Sequence, residues 1–443
     1  MSPSANSKTD RERRLAVLLD GRVAGTVFQD SSARLRFVYD EEWQLADESY
    51  PLSLSMPLTA AEHNHVAVNA YVWGLLPDNE RTLDHYGKLF GVSSGNPFAL
   101  LTHIGADCAG AVQLVPPDAV EGLLRLQAGD VVDWIDEEEV ARELRSAKET
   151  GLPGRNRKTV GRYSLAGAQP KIALFHHNGA WGRPVGRTPT THILKPPSDQ
   201  YPGFAENEHM CLDLALELGL AAARSAVKKF NGEIAIVVER FDRVSTISGY
   251  RRVHQEDICQ ALSVLPWNKY ESDRGPGAPQ IVELIQESSL ESKIDTDRFV
   301  DVLVLNWVLA AADAHAKNYA ILHVPGGGIR LAPFYDLASY LPYSDHRLHE
   351  VNLAMRVGKE YMARRVSLSD WTTFADMSRL SPDYVIERVQ ALLERVPGAI
   401  DVVAHGAIKD GLDETVVGQL ATRVRERSSE CSDRIRIGMS AKR

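Results

Sequence analysis

Cysteine is scarce in this chain and scattered. The four cysteines, Cys108, Cys211, Cys259 and Cys431, form no C-x-x-C pair, which argues against a thiolate zinc site or a disulfide framework and fits buried thiols in a reducing compartment. Long apolar runs are absent as well. No stretch approaches the ~18 consecutive apolar residues of a membrane span, and Met1 to Arg14 is polar and charged, without the apolar segment of a secretory signal. The expectation is a cytoplasmic protein with no membrane partner. An excess of positive charge is also missing. Lys and Arg number 50 against 59 Asp and Glu, a net charge of −9, so the chain as a whole does not read as a sequence-independent nucleic-acid binder, whose phosphate affinity comes from clustered cations.

What the chain does hold is apolar material for several cores. With 443 residues, 44% of them apolar, it exceeds the size of one ordinary core, and two or more domains or lobes are expected. Residues 1–12 are polar and aperiodic and read as a disordered tail. Arg14 to Leu19, Val23 to Phe28 and Ala33 to Tyr39 then read as an antiparallel meander with Asp20-Gly21 as a tight turn. From Trp73-Gly-Leu-Leu-Pro-Asp-Asn79 the pattern turns mixed, with a helix over Pro97 to Ile104. Nothing in this region points to catalysis, and His63 and His65 read as exposed loop histidines.

Asp136-Glu-Glu-Glu-Val begins a helix whose first-turn carboxylates suit the helix dipole, and Gly151-Leu-Pro-Gly154 ends it. Ser164-Leu-Ala-Gly-Ala-Gln-Pro-Lys171 follows, a small-residue turn between two strand-like runs. Small residues let backbone N–H groups approach phosphate oxygens, and Lys171 adds a point charge; a plain β-turn has the same composition. Lys195 closes the apolar strand Thr191-His-Ile-Leu-Lys195, and an amphipathic helix runs from Glu206 to Gly219. A strand lysine followed by a helix glutamate, Glu206 or Glu208, repeats the arrangement protein kinases place at the α/β-phosphates. Glu233 to Arg243 is an apolar strand running into a polar turn, the position of a kinase hinge, and a helical remainder begins in Val253 to Leu262.

The chemistry gathers between Asp313 and Asp336. Asp313 precedes Asn318 at the D-x-x-x-x-N spacing of a phosphoryl-transfer catalytic loop, in which the carboxylate takes the acceptor proton and the amide oxygen holds Mg²⁺. A buried helix over Asp297 to Ala312 should deliver Asp313 at its C-terminal end. Tyr319 to His323 and Ile329 to Ala332 read as a hairpin around Pro325-Gly-Gly-Gly328, which would return Asp336 beside Asn318. Two oxygen ligands suffice for Mg²⁺, which keeps waters and substrate phosphates for the rest.

These residues, in this order, resemble the HipA-type serine/threonine protein kinase toxins of bacterial toxin–antitoxin systems. Gly74-Leu-Leu-Pro-Asp-Asn79, Asn96-Pro-Phe-Ala-Leu-Leu and Asp107-Cys-Ala-Gly-Ala-Val-Gln-Leu114 resemble that family's N-terminal domain. Ser164 to Lys171, His192 to Lys195, Val238-Glu-Arg-Phe-Asp-Arg243, His254-Gln-Glu-Asp257, Asp313 to Asn318 and Pro333-Phe-Tyr-Asp336 resemble its kinase core. The resemblance implies Asp313 as catalytic base, Asn318 and Asp336 as Mg²⁺ ligands and Lys195 as the ATP-phosphate lysine. It implies that Ala166, Gly167, Ala168, Gln169 and Lys171 cover the phosphates, that Glu239, Arg240 and Phe241 hold adenine, and that His315, Lys317 and Tyr335 line the nucleotide pocket. Ser164 stands at the family's autophosphorylated serine, whose phosphate switches the kinase off, with Arg155, Arg157, Lys158 and Arg162 as cations to receive it. Pro170 stands where an acidic residue is common and Ala314 where glycine is common, which bears on loop mobility and nucleotide fit. The implied partners are a protein substrate of the aminoacyl-tRNA synthetase class, a HipB-like helix-turn-helix antitoxin and, through it, operator DNA.

The fold class expected is α+β: a β-rich N-terminal domain over 13–125, then a bilobal kinase-like core with a small lobe over 130–250 and a mostly helical C-terminal lobe over 251–443. Two rival functions share the sequence. One is a catalytically weak binding protein that completes a repressor complex, against which the intact Asp313, Asn318, Asp336 and Lys195 count; the other is a small-metabolite kinase, which only a substrate assay separates.

Overall fold

Alternation along the first strand shows how the N-terminal unit is built. In Arg13–Leu19, Leu15, Val17 and Leu19 enter one core with Phe37 and Tyr71, while Ala16 and Leu18 enter another with Val115, so this strand is buried on both faces. It lies inside an antiparallel five-stranded sheet ordered Glu62–His63, Leu35–Tyr39, Arg22–Gln29, Arg13–Leu19, Val112–Val115. The turn is Asp20-Gly21 as expected, both residues at positive φ (+47° and +79°). Helices His65–Gly74, Glu80–Phe90 and Pro97–Ile104 each begin at an asparagine, Asn64, Asn79 and Asn96, whose side chain accepts otherwise orphaned backbone N–H groups. The histidines are structural rather than exposed: His63 is buried with Nε2 on the carbonyls of Pro57 and Ala60, and Nδ1 of the half-buried His65 accepts the Leu35 N–H.

The computed structural model describes residues 12–125, 132–152, 154, 163–198, 200–247, 249–343 and 350–442. The expected tail, apart from Glu12, and the basic residues Arg155, Arg157, Lys158 and Arg162 lie outside them.

The second sheet is six-stranded, ordered Ser225–Phe230, Glu233–Glu239, His192–Lys195, Ile172–His177, Ala180–Pro184, Val132–Ile135. Both its faces are covered. Ile172, Leu174, Leu194, Ala235 and Val237 pack with Val140, Leu144 and Trp181 on one side, including the helix Glu137–Thr150 that Asp136 caps. Ile236 and Val238 face the other way, into the large core shared with helix Phe204–Glu217. Lys195 pairs directly opposite Ile236, and opposed antiparallel residues share a face. The strand register therefore aims Lys195 at that helix.

The C-terminal lobe is mainly helical, with Ser292–Leu309, Leu368–Met377, Pro382–Lys409 and Glu414–Lys442 around Trp307, Trp371 and Phe374. Two expectations are corrected here. Gln255–Asp257, expected as the start of a helix, is a strand, because it joins the hairpin Ala320–His323 and Ile329–Leu331 as a third member. The buried helix stops at Leu309, where Ala310 takes a left-handed conformation (φ +49°) and turns the chain out. Asp313 thus stands on the turn that follows rather than on the helix end.

The N-terminal unit docks through a buried ion cluster. Asp107 accepts from Arg243 Nη2 at 2.9 Å, Arg252 Nε at 3.3 Å and both Thr190 N–H and Thr190 Oγ1; Asp242 accepts from Arg240 Nη2 at 2.8 Å and Gly110 N–H at 2.7 Å. Burial pushes both carboxyls up, and the arginines outweigh it, holding Asp107 well below the usual range and Asp242 down at about 2. A depressed folded pKa adds stability that is complete above the unfolded value near ~4 and is lost as pH falls through the folded one. Urea unfolding of the wild type should therefore weaken steeply from about pH 4 to pH 2. Asp107→Asn should be less stable at neutral pH and show a shallower acid slope. An unchanged slope would mean that the acid sensitivity arises elsewhere.

Candidate active site

The two units and both lobes meet at a cleft with a cavity volume of about 140 Å³. Lys195 Nζ lies 2.7 Å from Glu208 Oε1 and 2.5 Å from Asp336 Oδ1. Burial pushes the Lys195 ammonium down, but Asp336 and Glu208 outweigh it and hold the ammonium charged. Asp336 is a third exposed, sits at φ +57° and, against its burial, is held down at about 2 by Lys195 and Lys171. Aspartate is among the few residues that tolerate that left-handed backbone, and Phe334 anchors the segment by hydrogen bonds with Ala221 and Ala223. Of the two candidate glutamates the structure selects Glu208; Glu206 is two residues away, roughly 200° around the helix.

The small-residue turn closes the top of the cleft. Gly167 has φ +102°, and a Cβ there would meet Lys171 Nζ at 2.6 Å, so a glycine is required. Lys171 Nζ is tied to the Ala166 carbonyl at 2.8 Å, and burial together with Lys195 lowers its pKa to about 8. Ser164 is only 1% exposed: its Oγ donates to the Leu75 carbonyl at 2.7 Å, and its N–H to the Asp107 carbonyl at 2.9 Å.

The Asp313 turn is held by its own backbone. The Asp313 carbonyl accepts the His315 N–H at 2.9 Å and Asn318 Nδ2 at 2.7 Å. Its carboxylate accepts from Tyr270 OH and lies 3.7 Å from His315 Nε2; the side chain is 75% exposed and, unlike His315, does not line the cleft. Burial pushes His315 down to about 4, so the imidazole is neutral near pH 7. With Asn318 Nδ2 engaged, the amide Oδ1 is left as the acceptor; it and the Asp336 carboxylate border the same cleft. Two hard oxygen donors of this kind fit Mg²⁺. Among the described residues no cluster of three or more His, Cys, Asp or Glu is arranged for a metal; waters and substrate oxygens would complete a Mg²⁺ shell on these two donors. Glu208 Oε2 and His315 Nδ1, both buried and bordering the cleft, have no hydrogen-bond partner among the described residues.

Residues 163–400 match the model of the HipA-like C-terminal domain, and residues 15–115 that of the HipA N-terminal domain. This chain belongs to the HipA family. It is 35% identical to the protein named "Putative kinase Y4mE" of Sinorhizobium fredii, over 94% of this chain and 98% of that one. It is 32% identical to the serine/threonine-protein kinase toxin HipA of Shewanella oneidensis, over 82% of each chain. A chain in the solved Shewanella oneidensis MR-1 complex of HipA, HipB and operator DNA superposes with a TM-score of 0.80 at 27% identity, covering 94% of this chain and 97% of its own. The family is that of the HipA-type serine/threonine kinase toxins, and the architecture above, β-rich first and helical last, is its fold.

Against that HipA frame, the cleft brings together Ala166, Gly167, Lys171, Lys195, Glu239, Arg240, Phe241, His315, Lys317, Asn318, Tyr335 and Asp336. Others fall differently. Ala168 and Gln169 line an adjoining cavity with Pro77 and Tyr86 instead. Arg240 borders the cleft, but its guanidinium turns away into the cluster with Asp242, Thr190 and the Cys108 carbonyl. Phe241 packs on Tyr335 with ring centroids 5.7 Å apart, and Tyr335 OH donates to the Lys317 carbonyl. Sequence reasoning missed Asp78, Asp257 and Gln260, which also border the cleft. The N-terminal stretch Gly74 to Asn79, read as remote from catalysis, supplies Asp78. No local spacing signals it, since Asp78 lies 239 positions from its partner Lys317.

Proposed function

We propose that this HipA-family protein is an ATP- and Mg²⁺-dependent serine/threonine protein kinase that acts as a toxin. The observation that carries the reading is the Lys195 ammonium held between Glu208 and Asp336, in one cleft with the Asn318 amide oxygen. In this reading Lys195 and Lys171 offer fixed positive charge to the ATP phosphates, and backbone N–H groups of Ala166 to Gln169 approach them. Glu239, Arg240 and Phe241 present backbone to adenine, with Phe241 and Tyr335 beside the base; His315 and Lys317 line the pocket. Asn318 and Asp336 would hold Mg²⁺, which when bound offsets phosphate charge. Asp313 orients the acceptor hydroxyl and takes its proton. The units 13–125, 130–250 and 251–443 act as docking domain, small lobe and large lobe.

The acceptor is a protein, of the aminoacyl-tRNA synthetase class, whose modification halts translation and growth. A HipB-like helix-turn-helix antitoxin binds this chain and carries it to operator DNA, a reading supported by the composition of the Shewanella complex. The antitoxin partner also removes the conflict between DNA association and a net charge of −9.

Ser164 is the self-inhibitory site. Buried against Leu75 and Asp107, it must leave its place to receive phosphate, and a phosphoserine of about −1.5 to −2 charges is too costly to bury there again. Intact mass and site mapping of the full chain incubated with Mg²⁺ and ATP test the reading. One phosphate at Ser164 is expected in the wild type. Ser164→Ala should abolish it and leave ATP affinity within about fivefold, the factor to which the ~1 kcal/mol of the lost hydrogen bond corresponds. Phosphate appearing at another residue in that variant would move the switch off Ser164.

A further inference from the structure

Asp78 has no part in the machinery assigned above, yet it touches three elements of it. It stands on the turn between helices His65–Gly74 and Glu80–Phe90 of the N-terminal domain, with a carboxylate only 9% exposed. Oδ1 accepts from Lys317 Nζ at 2.6 Å, Oδ2 accepts from Lys269 Nζ at 2.8 Å, and the Asp78 N–H donates to the Gly167 carbonyl at 3.1 Å. Lys317 sits inside the catalytic turn, between His315 and Asn318. The Lys269 carbonyl accepts the Ala316 N–H at 3.2 Å, and the next residue, Tyr270, donates to the Asp313 carboxylate. Gly167 belongs to the phosphate turn. One acidic residue of the N-terminal domain therefore ties the catalytic turn and the strap that holds Asp313 through its carboxylate, and the loop above the phosphates through its backbone N–H.

We propose that Asp78 is a positioning residue for phosphoryl transfer, through which the N-terminal domain completes the kinase site. The inference rests on the kinase reading above. A carboxylate bordering a cleft that receives a polyanion opposes nucleotide binding by charge alone. Its placement there is understandable if it orders Lys317 and Lys269. The consequence is a split that simple docking would not produce. Asp78→Asn keeps the shape and the backbone contact but removes the counter-charge of both lysines and one of the two acceptor oxygens that hold them. The ATP dissociation constant should stay level or fall, because two cations lose their counter-charge, while transfer slows about 100-fold through misplacement of the catalytic turn.

The test compares full-length wild type, Asp78→Asn, Asp78→Glu, Arg251→Ala and Asp313→Asn. Three readouts are taken: single-turnover phosphate incorporation with Mg²⁺ and ATP, affinity for a fluorescent ATP analogue, and amide hydrogen exchange over residues 313–319 without nucleotide. Arg251, whose exposed ion pair with Asp20 also bridges the units, controls for docking and should behave as wild type. Asp78→Asn should lose rate, retain or gain affinity and exchange faster over 313–319, and Asp78→Glu should recover at least tenfold of the rate. A wild-type rate in Asp78→Asn overturns the proposal. So does a rate loss accompanied by equally weakened nucleotide binding and no recovery in Asp78→Glu, which marks a docking residue only. If the wild type transfers nothing, or Asp313→Asn equals it, the kinase reading fails instead, and exchange over 313–319 still decides whether Asp78 orders the turn.

Discussion

Asp313→Asn should lower phosphoryl transfer by about 10²–10⁴-fold, the range lost with a general base, and leave ATP affinity and unfolding midpoint near wild type. The geometry separates these effects. The side chain of Asp313 is exposed and rests on Tyr270 OH, so an amide of the same shape fits without new burial. The contacts that build the turn, from His315 N–H and Asn318 Nδ2, are made to the Asp313 backbone carbonyl and persist in the variant. What disappears is the proton acceptor and its charge. His315 cannot take over readily, because burial holds its pKa at about 4 and its Nε2 is 3.7 Å from the carboxylate it would replace. Single-turnover incorporation with Mg²⁺ and ATP checks this. Undiminished transfer would remove Asp313 from the chemistry.

Lys195→Met should abolish transfer and also destabilise the fold, by about 3–5 kcal/mol, the effect of removing one partner from a buried ion pair. Lys195 and Glu208 are both buried, with side-chain exposures of 8% and 1%, so Glu208 loses its ammonium without gaining water. Burial already pushes Glu208 upward against the pull of Lys195; in the variant that opposition is gone and the carboxyl is raised further. A group with a raised folded pKa keeps its stability below the unfolded value near ~4.3 and loses it as pH rises through the folded one. The Glu208 part of the deficit should therefore be small near pH 4–5 and grow towards pH 8, on top of a loss of the Asp336 pairing that is already complete above about pH 4. Chemical unfolding across that range is the measurement. A pH-independent deficit, or one below about 1 kcal/mol, would show that Glu208 finds another partner or water when Lys195 is lost.

Much of this was legible because it is local. The Asp20-Gly21 turn, the Pro97–Ile104 helix, the Asp136 cap, the strand ending in Lys195 and the hairpin around Pro325 to Gly328 all depend on neighbours a few residues away. Spacing also placed Asn318 against Asp313, since the contact between them closes within one short turn. Where expectation failed, a distant partner had intervened. Gln255–Asp257 carries a helical pattern but pairs with Ala320–His323, and backbone pairing overrides a short-range preference. Arg240 reads as a hinge residue, yet Asp242 and the docked N-terminal domain draw its guanidinium away.

By itself, then, the sequence determined most of the elements, the absence of a paired-cysteine motif, the order of the motifs and the spacing of Asp313, Asn318 and Asp336, since each depends on periodicity or separation along the chain. Only the tertiary structure decided that Glu208 rather than Glu206 meets Lys195, that Ser164 is buried under the N-terminal domain, and that Asp78 reaches Lys317 across 239 positions. Burial and long-range ion pairing depend on which faces meet after the chain has folded, and no local pattern encodes which charge will be waiting there.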